Sequence, residues 1–461
     1  MVGIESYAVY IPVGRLPRAA IVAALGAGRG RGSRPVASYD EDSTTLAVAA
    51  ARRALGPRQV SGSLWFATSR PAYLEKSNAV TVAAATGLDE RCPAYDVGGA
   101  LRGGAGALRA GLAEGGALVV AADLRYSLPG SADEAEGADA AAAFVVGAEP
   151  VAELVGTASV TREFLDRWRE PGAVRTRTWE ERFGVEEYVP LAQHAVDDVL
   201  HSSGVQREEL ARVVVSTPHA RARATVLRAF PAEVTGRGAV GELGYAGAAD
   251  LGLGLVAAFE QAHPGDLVLA VSVTDGADAF LFRMTERHRT GACGLDALAG
   301  STADVSYADF LTWRGLLPRE PARRPDVKPP VPPAALRTVG WKFGFVAGRC
   351  RECGYRNLPP RRVCLRCRAR DAFDPEPMVD VPARVATFTD DWLSESVQLP
   401  AKVVAVDFEG GGRFEFEMAD AVGFTPSIGD RVVPTFRVAS VAANGVRNYT
   451  WKVRPHREED R

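Results

Sequence analysis

The sequence predicts an α/β protein with an internal repeat, followed by a metal-binding ribbon and a small β-barrel. Three observations carry this. Two stretches of about 140 residues share the order helix, strand, helix, small-residue helix, strand, strand. The runs Ala117–Ala122 and Ala141–Gly147 are continuously apolar, as expected for central strands covered on both faces, and Leu267–Val273 is a largely apolar strand. Two CxxC pairs and five strand-like segments then follow a proline-rich spacer.

In the first repeat, Ser43–Leu55 reads as a helix with Ser43 as N-cap and Gly56-Pro57 as its stop. Ser63–Thr68 is a strand and Ser77–Gly87 a second helix. Next comes Asp-Val-Gly-Gly-Ala-Leu-Arg-Gly-Gly-Ala-Gly-Ala-Leu, Asp96 to Leu108, which a short strand enters and a small-residue helix leaves at about Glu114. Its glycines permit a sharp turn and close backbone approach. The opening turn of such a helix has free N–H groups that can activate a nucleophile or hold an oxyanion. In the second repeat, Leu191–Ser202 is a helix ending at Gly204 and Arg212–Ser216 a strand. Gly247–His263 is the small-residue helix, and Leu267–Val273 and Ala279–Met284 are strands.

A chain of 461 residues exceeds one ordinary core and implies two or three domains. With 47% hydrophobic and 24% charged residues it has a soluble globular composition, and a net charge of -3 gives no reason to expect nucleic acid or an anionic membrane. No apolar run reaches the ~20 residues of a membrane span, and the N-terminus lacks a signal-peptide pattern. The expected compartment is the cytoplasm. Arginine is abundant throughout, so single arginines are read as compositional. Of six cysteines four cluster late, while Cys92 and Cys293 stand alone, which suits one metal site rather than a disulfide framework.

The first 290 residues resemble the thiolase superfamily, in particular 3-hydroxy-3-methylglutaryl-CoA synthase and ketoacyl synthase III. The resemblance rests on Ser6–Pro12, Tyr39–Thr45, the Asp96–Leu108 turn, Val215–Pro218, Gly244–Ala248 and Pro264–Asp266. It implies a duplicated fold layered α/β/α/β/α, an acyl-CoA or acyl-carrier-protein partner, CoA as substrate moiety, and a homodimer. The family works with a Cys nucleophile, a His and an Asn. Carried onto this chain, the Cys falls on Leu101, the His on Ser216, and the Asn on Leu243 or Glu242. None survives, so an acyl-cysteine mechanism is not expected at this position.

Two readings follow. In one, the pocket keeps its thioester and performs aldol or retro-aldol chemistry, which needs an acid or base and enolate stabilisation but no acyl-enzyme. The candidate catalytic residues are then His219, Tyr245, Ser216, Glu75 and Asp275, and the substrate-binding candidates Leu101, Arg102, Leu243 and Gly276. In the other, the chain is a catalytically inactive scaffold or partner subunit.

Pro318–Pro333 reads as an extended spacer unable to hold a helix, preceded by a short helix at Tyr307–Leu316. Cys350, Cys353, Cys364 and Cys367 form two knuckles whose four thiolates complete a closed tetrahedral site, so a structural Zn2+ is expected. Val381–Phe388, Lys402–Phe408, Gly412–Met418, Arg431–Phe436 and Val446–Val453 predict a five-stranded barrel of OB type with a hairpin at Gly410–Gly412. Ribbon and barrel resemble zinc-ribbon/OB proteins that accompany acyl-CoA enzymes, which implies a possible thiolase-like partner enzyme. The expected boundaries are 1–150 and 151–292 for the two halves, 293–336 for helix and linker, 337–375 for the ribbon and 376–461 for the barrel.

Overall fold

A computed structural model describes the chain except residues 27–29, 237–239, 292, 294, 301, 321–329, 395 and 458–461. The central part of the predicted spacer therefore lies outside the described residues. Two compact units result. The first comprises Met1–Ala37, Asp42–Val82 and Glu90–Leu317, and the second Ser38–Glu41, Ala83–Asp89 and Pro318–Arg461.

The first unit is built on nine strands: β1 (Gly3–Tyr10), β2 (Leu64–Thr68), β3 (Ala94–Gly98), β4 (Leu118–Asp123), β5 (Ala140–Gly147), β6 (Ala152–Thr161), β7 (Leu210–Ser216), β8 (Leu267–Thr274) and β9 (Gly276–Met284). Their spatial order is β7-β8-β9-β6-β1-β5-β4-β2-β3. The two halves meet at a short antiparallel contact, Gly3 opposite Glu153 and Ile4 opposite Ala152. Outward from it, each half repeats two antiparallel pairings and then a parallel one: β1-β5-β4-β2 and β6-β9-β8-β7. The first half adds β3, parallel to β2. Among the described residues the second half has no counterpart to β3; the described part of its segment between the matching helices, residues 228–249, holds short 3-10 turns and a single bridge from Tyr245 to Gly137.

The helices are α1 (Ser43–Leu55), α2 (Ala79–Thr86), α3 (Gly103–Glu114), α4 (Glu181–Ser203), α5 (Ala220–Leu227) and α6 (Asp250–Gln261). Alternation along the strands explains the layers. Val213, Val215, Leu269, Val271 and Leu281 pack outward with α4 and α5. Val214, Val268, Ala270, Phe280 and Phe282 pack inward with the small-residue helices α3 and α6, in the same core as Val119, Ala121, Ala142 and Phe144 of the first half. Period-2 strands thus feed a central helical layer and an outer one. The central layer is tight: a Cβ at Gly104 would lie 2.0 Å from the Ala248 carbonyl oxygen.

Several expectations are corrected. The N-cap of α1 is Asp42, which accepts from Thr45 N at 3.0 Å, while the Ser43 hydroxyl donates to the Arg70 carbonyl. Helix α4 begins ten residues before Leu191 and runs through Pro190. The spacer's end does hold a helix, α7 (Pro332–Gly344), because a proline in the first turn lacks only an N–H that would be unpaired there anyway.

In the second unit, β10 (Val346–Cys350), β11 (Arg356–Asn357) and β12 (Phe373–Pro377) form a three-stranded ribbon with β10 central. Five further strands, β13 (Ala383–Asp391), β14 (Ala401–Phe408), β15 (Arg413–Glu417), β16 (Arg431–Val441) and β17 (Arg447–Pro455), are ordered β15-β14-β13-β16-β17. A parallel bridge between Met418 and Val453 joins the two ends of that order. The hairpin glycines Gly410, Gly411 and Gly412 all have positive φ. The buried Phe345 ring lies 5.5 Å from Phe416, 5.8 Å from Phe408 and 6.2 Å from Trp451, giving this unit an aromatic core.

Candidate functional site

Two adjoining cavities open in the first unit at the ends of its central strands. The larger, about 670 Å³, is lined by Arg18, Arg31, Arg223, Glu242 and Tyr245 among others. The smaller, about 240 Å³, is lined by Leu101, Trp168, Arg169, Tyr188 and Asp275. Both share Arg125, Arg167 and Pro218 as a common wall.

The turn that delivers Leu101 forms where β3 ends and α3 begins. Asp96 of β3 accepts from the N–H groups of Asn78 and Ala79, both at 2.7 Å, and so anchors the start of α2. Gly99 takes a φ of 95°, which favours glycine. Leu101 then reaches the small cavity as an inert hydrocarbon wall. Arg102, expected to bind substrate, lines neither cavity and directs its guanidinium into the fold. Its Nε donates to Asp278 at 2.8 Å, Nη1 to Thr161 Oγ1 and the Asp275 carbonyl, and Nη2 to Ser159 Oγ and the Val160 carbonyl. All five N–H groups are consumed in tying α3 to β6 and β9. Gly276 belongs to the same joint: a Cβ there would stand 2.3 Å from Arg102 Nη1.

His219 is the N-cap of α5. Its Nδ1 accepts from Ala222 N at 3.0 Å, and Nε2 lies 2.9 Å from the Glu181 carbonyl oxygen. This pattern fixes the Nε2–H tautomer and leaves no ring nitrogen for a substrate, so the catalytic expectation for His219 is corrected. Ser216 is buried at the end of β7 and Leu243 in the central core; neither lines either of these two cavities. Glu75 is exposed on its loop, away from both linings. Of the five catalytic candidates, Asp275 lines the small cavity and Tyr245 the large one. Partial burial holds the Asp275 carboxyl above its ordinary value. Burial, then Asp250, raises the Tyr245 phenol. Neither Cys92 nor Cys293 lines either cavity.

Sequence reasoning missed the charged wall. Asp133 pairs with Arg125 at 3.2 Å and also with Arg167. Burial alone would raise the Asp133 carboxyl, but the two guanidiniums outweigh it and hold it down to about 2. Tyr188 faces the small cavity and donates to Asp166 at 3.0 Å. Asp123, fully buried at the end of β4, accepts from Ser69 N, Ser69 Oγ and Ala248 N, each at 2.8 Å. It thereby takes the Ala248 N–H in the turn that leads into α6.

In the ribbon, Cys350 and Cys367 sulfurs lie 3.6 Å apart, and those of Cys353 and Cys364 3.7 Å apart. All four lie within 4.8 Å of one another. A tetrahedral ion with Zn–S bonds of about 2.3 Å places its sulfurs just under 4 Å apart, so the four residues fit zinc with no open position. Asn357 braces this cluster, accepting from Leu365 N at 3.0 Å.

Repeated α/β halves around a central helical layer, with a cavity at the turn into α3, define a thiolase-superfamily fold. Solved structures bear this out. One of MvaS in complex with 3-hydroxy-3-methylglutaryl coenzyme A aligns with a TM-score of 0.60 at 20% identity, over 72% of this chain and 94% of that one. The 3-oxoacyl-[acyl-carrier-protein] synthase III of Aquifex aeolicus aligns at 0.55 and 20% identity, over 61% and 100%. The hydroxymethylglutaryl-CoA synthase of Methanopyrus kandleri is 31% identical over 309 residues, 62% of this chain and 88% of that protein. That of Archaeoglobus fulgidus is 29% identical over 62% and 90%. The chain belongs to the hydroxymethylglutaryl-CoA synthase family. Residues 344–374 match the ChsH2 rubredoxin-like zinc ribbon domain. Among the described residues no helix is long and apolar enough to cross a membrane.

Proposed function

We propose that this chain binds an acyl thioester of CoA or of a carrier protein and makes or breaks a carbon–carbon bond by aldol-type chemistry without a cysteine nucleophile. The carrying observation is the adjoining pair of cavities, the smaller one walled by Leu101 where the family's nucleophile would stand. The larger holds the carrier arm and the smaller the acyl group. Asp275 takes the proton of a β-hydroxyl; the Cα–Cβ bond breaks, and its electrons pass to the thioester as an enolate. Arg125 and Arg167 on the shared wall supply the positive charge that the enolate requires. Tyr245 orients the carrier arm. A solved relative holds 3-hydroxy-3-methylglutaryl coenzyme A, and the curacin-pathway HMG synthase an acetyl donor carrier protein, which supports both carriers.

The four cysteines hold a structural zinc, and the five-stranded sheet is an OB-type barrel, a reading supported by its strand order and its end-to-end bridge. The edge strand β3, with Tyr95 half exposed, pairs with the same strand of a second copy in a homodimer. A thiolase-like enzyme remains the expected partner.

A second reading, a catalytically silent scaffold, is favoured by the capping of His219 and the full use of Arg102. Incubation with β-hydroxyacyl-CoA compounds decides between the two. Cleavage that is lost in Asp275→Asn, with no acyl group on any cysteine by mass spectrometry, supports the enzyme. Binding of thioesters with no turnover in either direction supports the scaffold.

A further inference from the structure

The zinc ribbon has its own cavity and its own excess of charge. Between Gly344 and Asp374, eight arginines face three carboxylates. A zinc ion with four thiolates adds two negative charges, which still leaves this segment at about +3 in a chain of net -3. The nearby acids are taken up locally: Asp371 by Arg362 at 2.7 Å, Asp374 by Arg351 at 3.4 Å, and Glu376 by Arg356 at 2.7 Å. Arg361, Arg366 and Arg368 are exposed around the second knuckle, and among the described residues no carboxylate pairs with them.

A cavity of about 300 Å³ opens at the base of that knuckle, lined by Trp341 of α7, Val346 of β10, Pro360, and Phe373 and Pro375 of β12. Arg361 directly follows Pro360 of its wall. Its one charged lining residue, Asp374, is already the partner of Arg351. Gly340 also lines the cavity, and Leu336, one turn earlier on the same face of α7, is 75% exposed. An apolar hollow with unpaired guanidiniums beside it suits a helix that carries apolar side chains on one face and carboxylates along its edge. Such a hollow takes an inserted side chain, which a flat lipid surface does not offer. No aromatic residue alternates with the arginines from Arg361 to Arg370, as base stacking requires. We propose that the ribbon and α7 form a docking site for an acidic amphipathic helix of a partner protein. Its apolar face sits at Trp341, Phe373 and Leu336, and its carboxylates meet Arg361, Arg366 and Arg368. This site goes beyond the thioester reading and does not depend on it.

The test measures binding of synthetic helices of about 18 residues to the full chain by fluorescence anisotropy. One helix carries leucine on one face and glutamate on the other; its two controls replace the glutamates by glutamine or the leucines by serine. Three exposed charge pairs give the glutamate helix an advantage on the order of 10-fold over the glutamine helix, and about 0.5 M salt removes most of it. The advantage falls to near unity in the triple variant Arg361→Gln, Arg366→Gln, Arg368→Gln, whose zinc content is measured to confirm an intact ribbon. Leu336→Ser leaves the knuckle untouched and weakens the glutamate and glutamine helices alike, and the serine helix does not bind. Equal affinity for the glutamate and glutamine helices in the parent protein overturns the proposal, as does an advantage that survives in the triple variant. Failure of every helix to bind overturns it too. Tighter binding of phosphatidylglycerol vesicles or of single-stranded RNA than of the glutamate helix, lost in the triple variant, assigns the arginines to a membrane or to nucleic acid and overturns it as well.

Discussion

Replacing Asp133 with Asn removes the one carboxylate that two cavity arginines share, and its effect depends on pH in a defined way. The two guanidiniums hold the folded carboxyl down to about 2, against 3.8 for an ordinary aspartate such as that of the unfolded chain. A depressed folded value contributes stability above the unfolded pKa and loses it as pH falls through the folded one. The difference is a little under two pH units, or about 2 kcal/mol at pH 7. It falls to roughly half near pH 3 and vanishes below about pH 2. Urea unfolding of the parent and Asp133→Asn, followed by far-UV circular dichroism at a series of pH values, reads this directly. Other carboxylates titrate in both proteins and cancel in the comparison. The stability gap between the two proteins closes as the solution is acidified. A gap that stays constant from pH 7 to pH 3 refutes the assignment of Asp133 as the counter-ion of Arg125 and Arg167.

Gly104→Val forces a side chain into the space where α3 meets the Ala248 carbonyl at a projected 2.0 Å, and lowers stability by several kcal/mol, seen as loss of soluble protein or a lower melting temperature. Gly276→Ala meets Arg102 Nη1 at 2.3 Å and strains a φ of 143°, so proteolysis near Arg102 accelerates. Cys350→Ser abolishes stoichiometric zinc by mass spectrometry and disorders the ribbon, while the circular dichroism of the α/β unit is largely kept. Turnover dependent on Asp275 as a base rises with pH through a value above that of an ordinary aspartate, because burial raises its pKa and only the ionised form accepts a proton.

The repeat was legible because its strands and small-residue helices carry unbroken apolar patterns, and β4, β5, β8 and the two central helices sit within a few residues of their expected places. The start of α4 was hidden by Gly184 and Pro190, which read as helix breakers but are accommodated in a helix that tertiary packing supports. The site was harder to read. His219 carries no sequence mark that separates a base from a cap, and only the 3.0 Å bond from Ala222 decides. The arginine wall was obscured by its own composition. Arg125 and Arg167 lie 42 positions apart in a chain rich in arginine, so nothing local distinguishes them from solvated surface cations. Their significance comes from sharing Asp133, which is a fact of three-dimensional arrangement.

The absence of an outermost strand in the second half, among the described residues, leaves one flank of the large cavity to Gly241, Glu242, Gly244 and Tyr245, which carry no sheet ladder beyond a single bridge from Tyr245 to Gly137. Sequence drift on that flank breaks few backbone pairings, whereas the equivalent stretch of the first half is held by five paired positions between β2 and β3. Diversification of what this cavity admits is therefore channelled to one side of an otherwise two-fold molecule, and the rigid half can stay as it is while the pliant half changes.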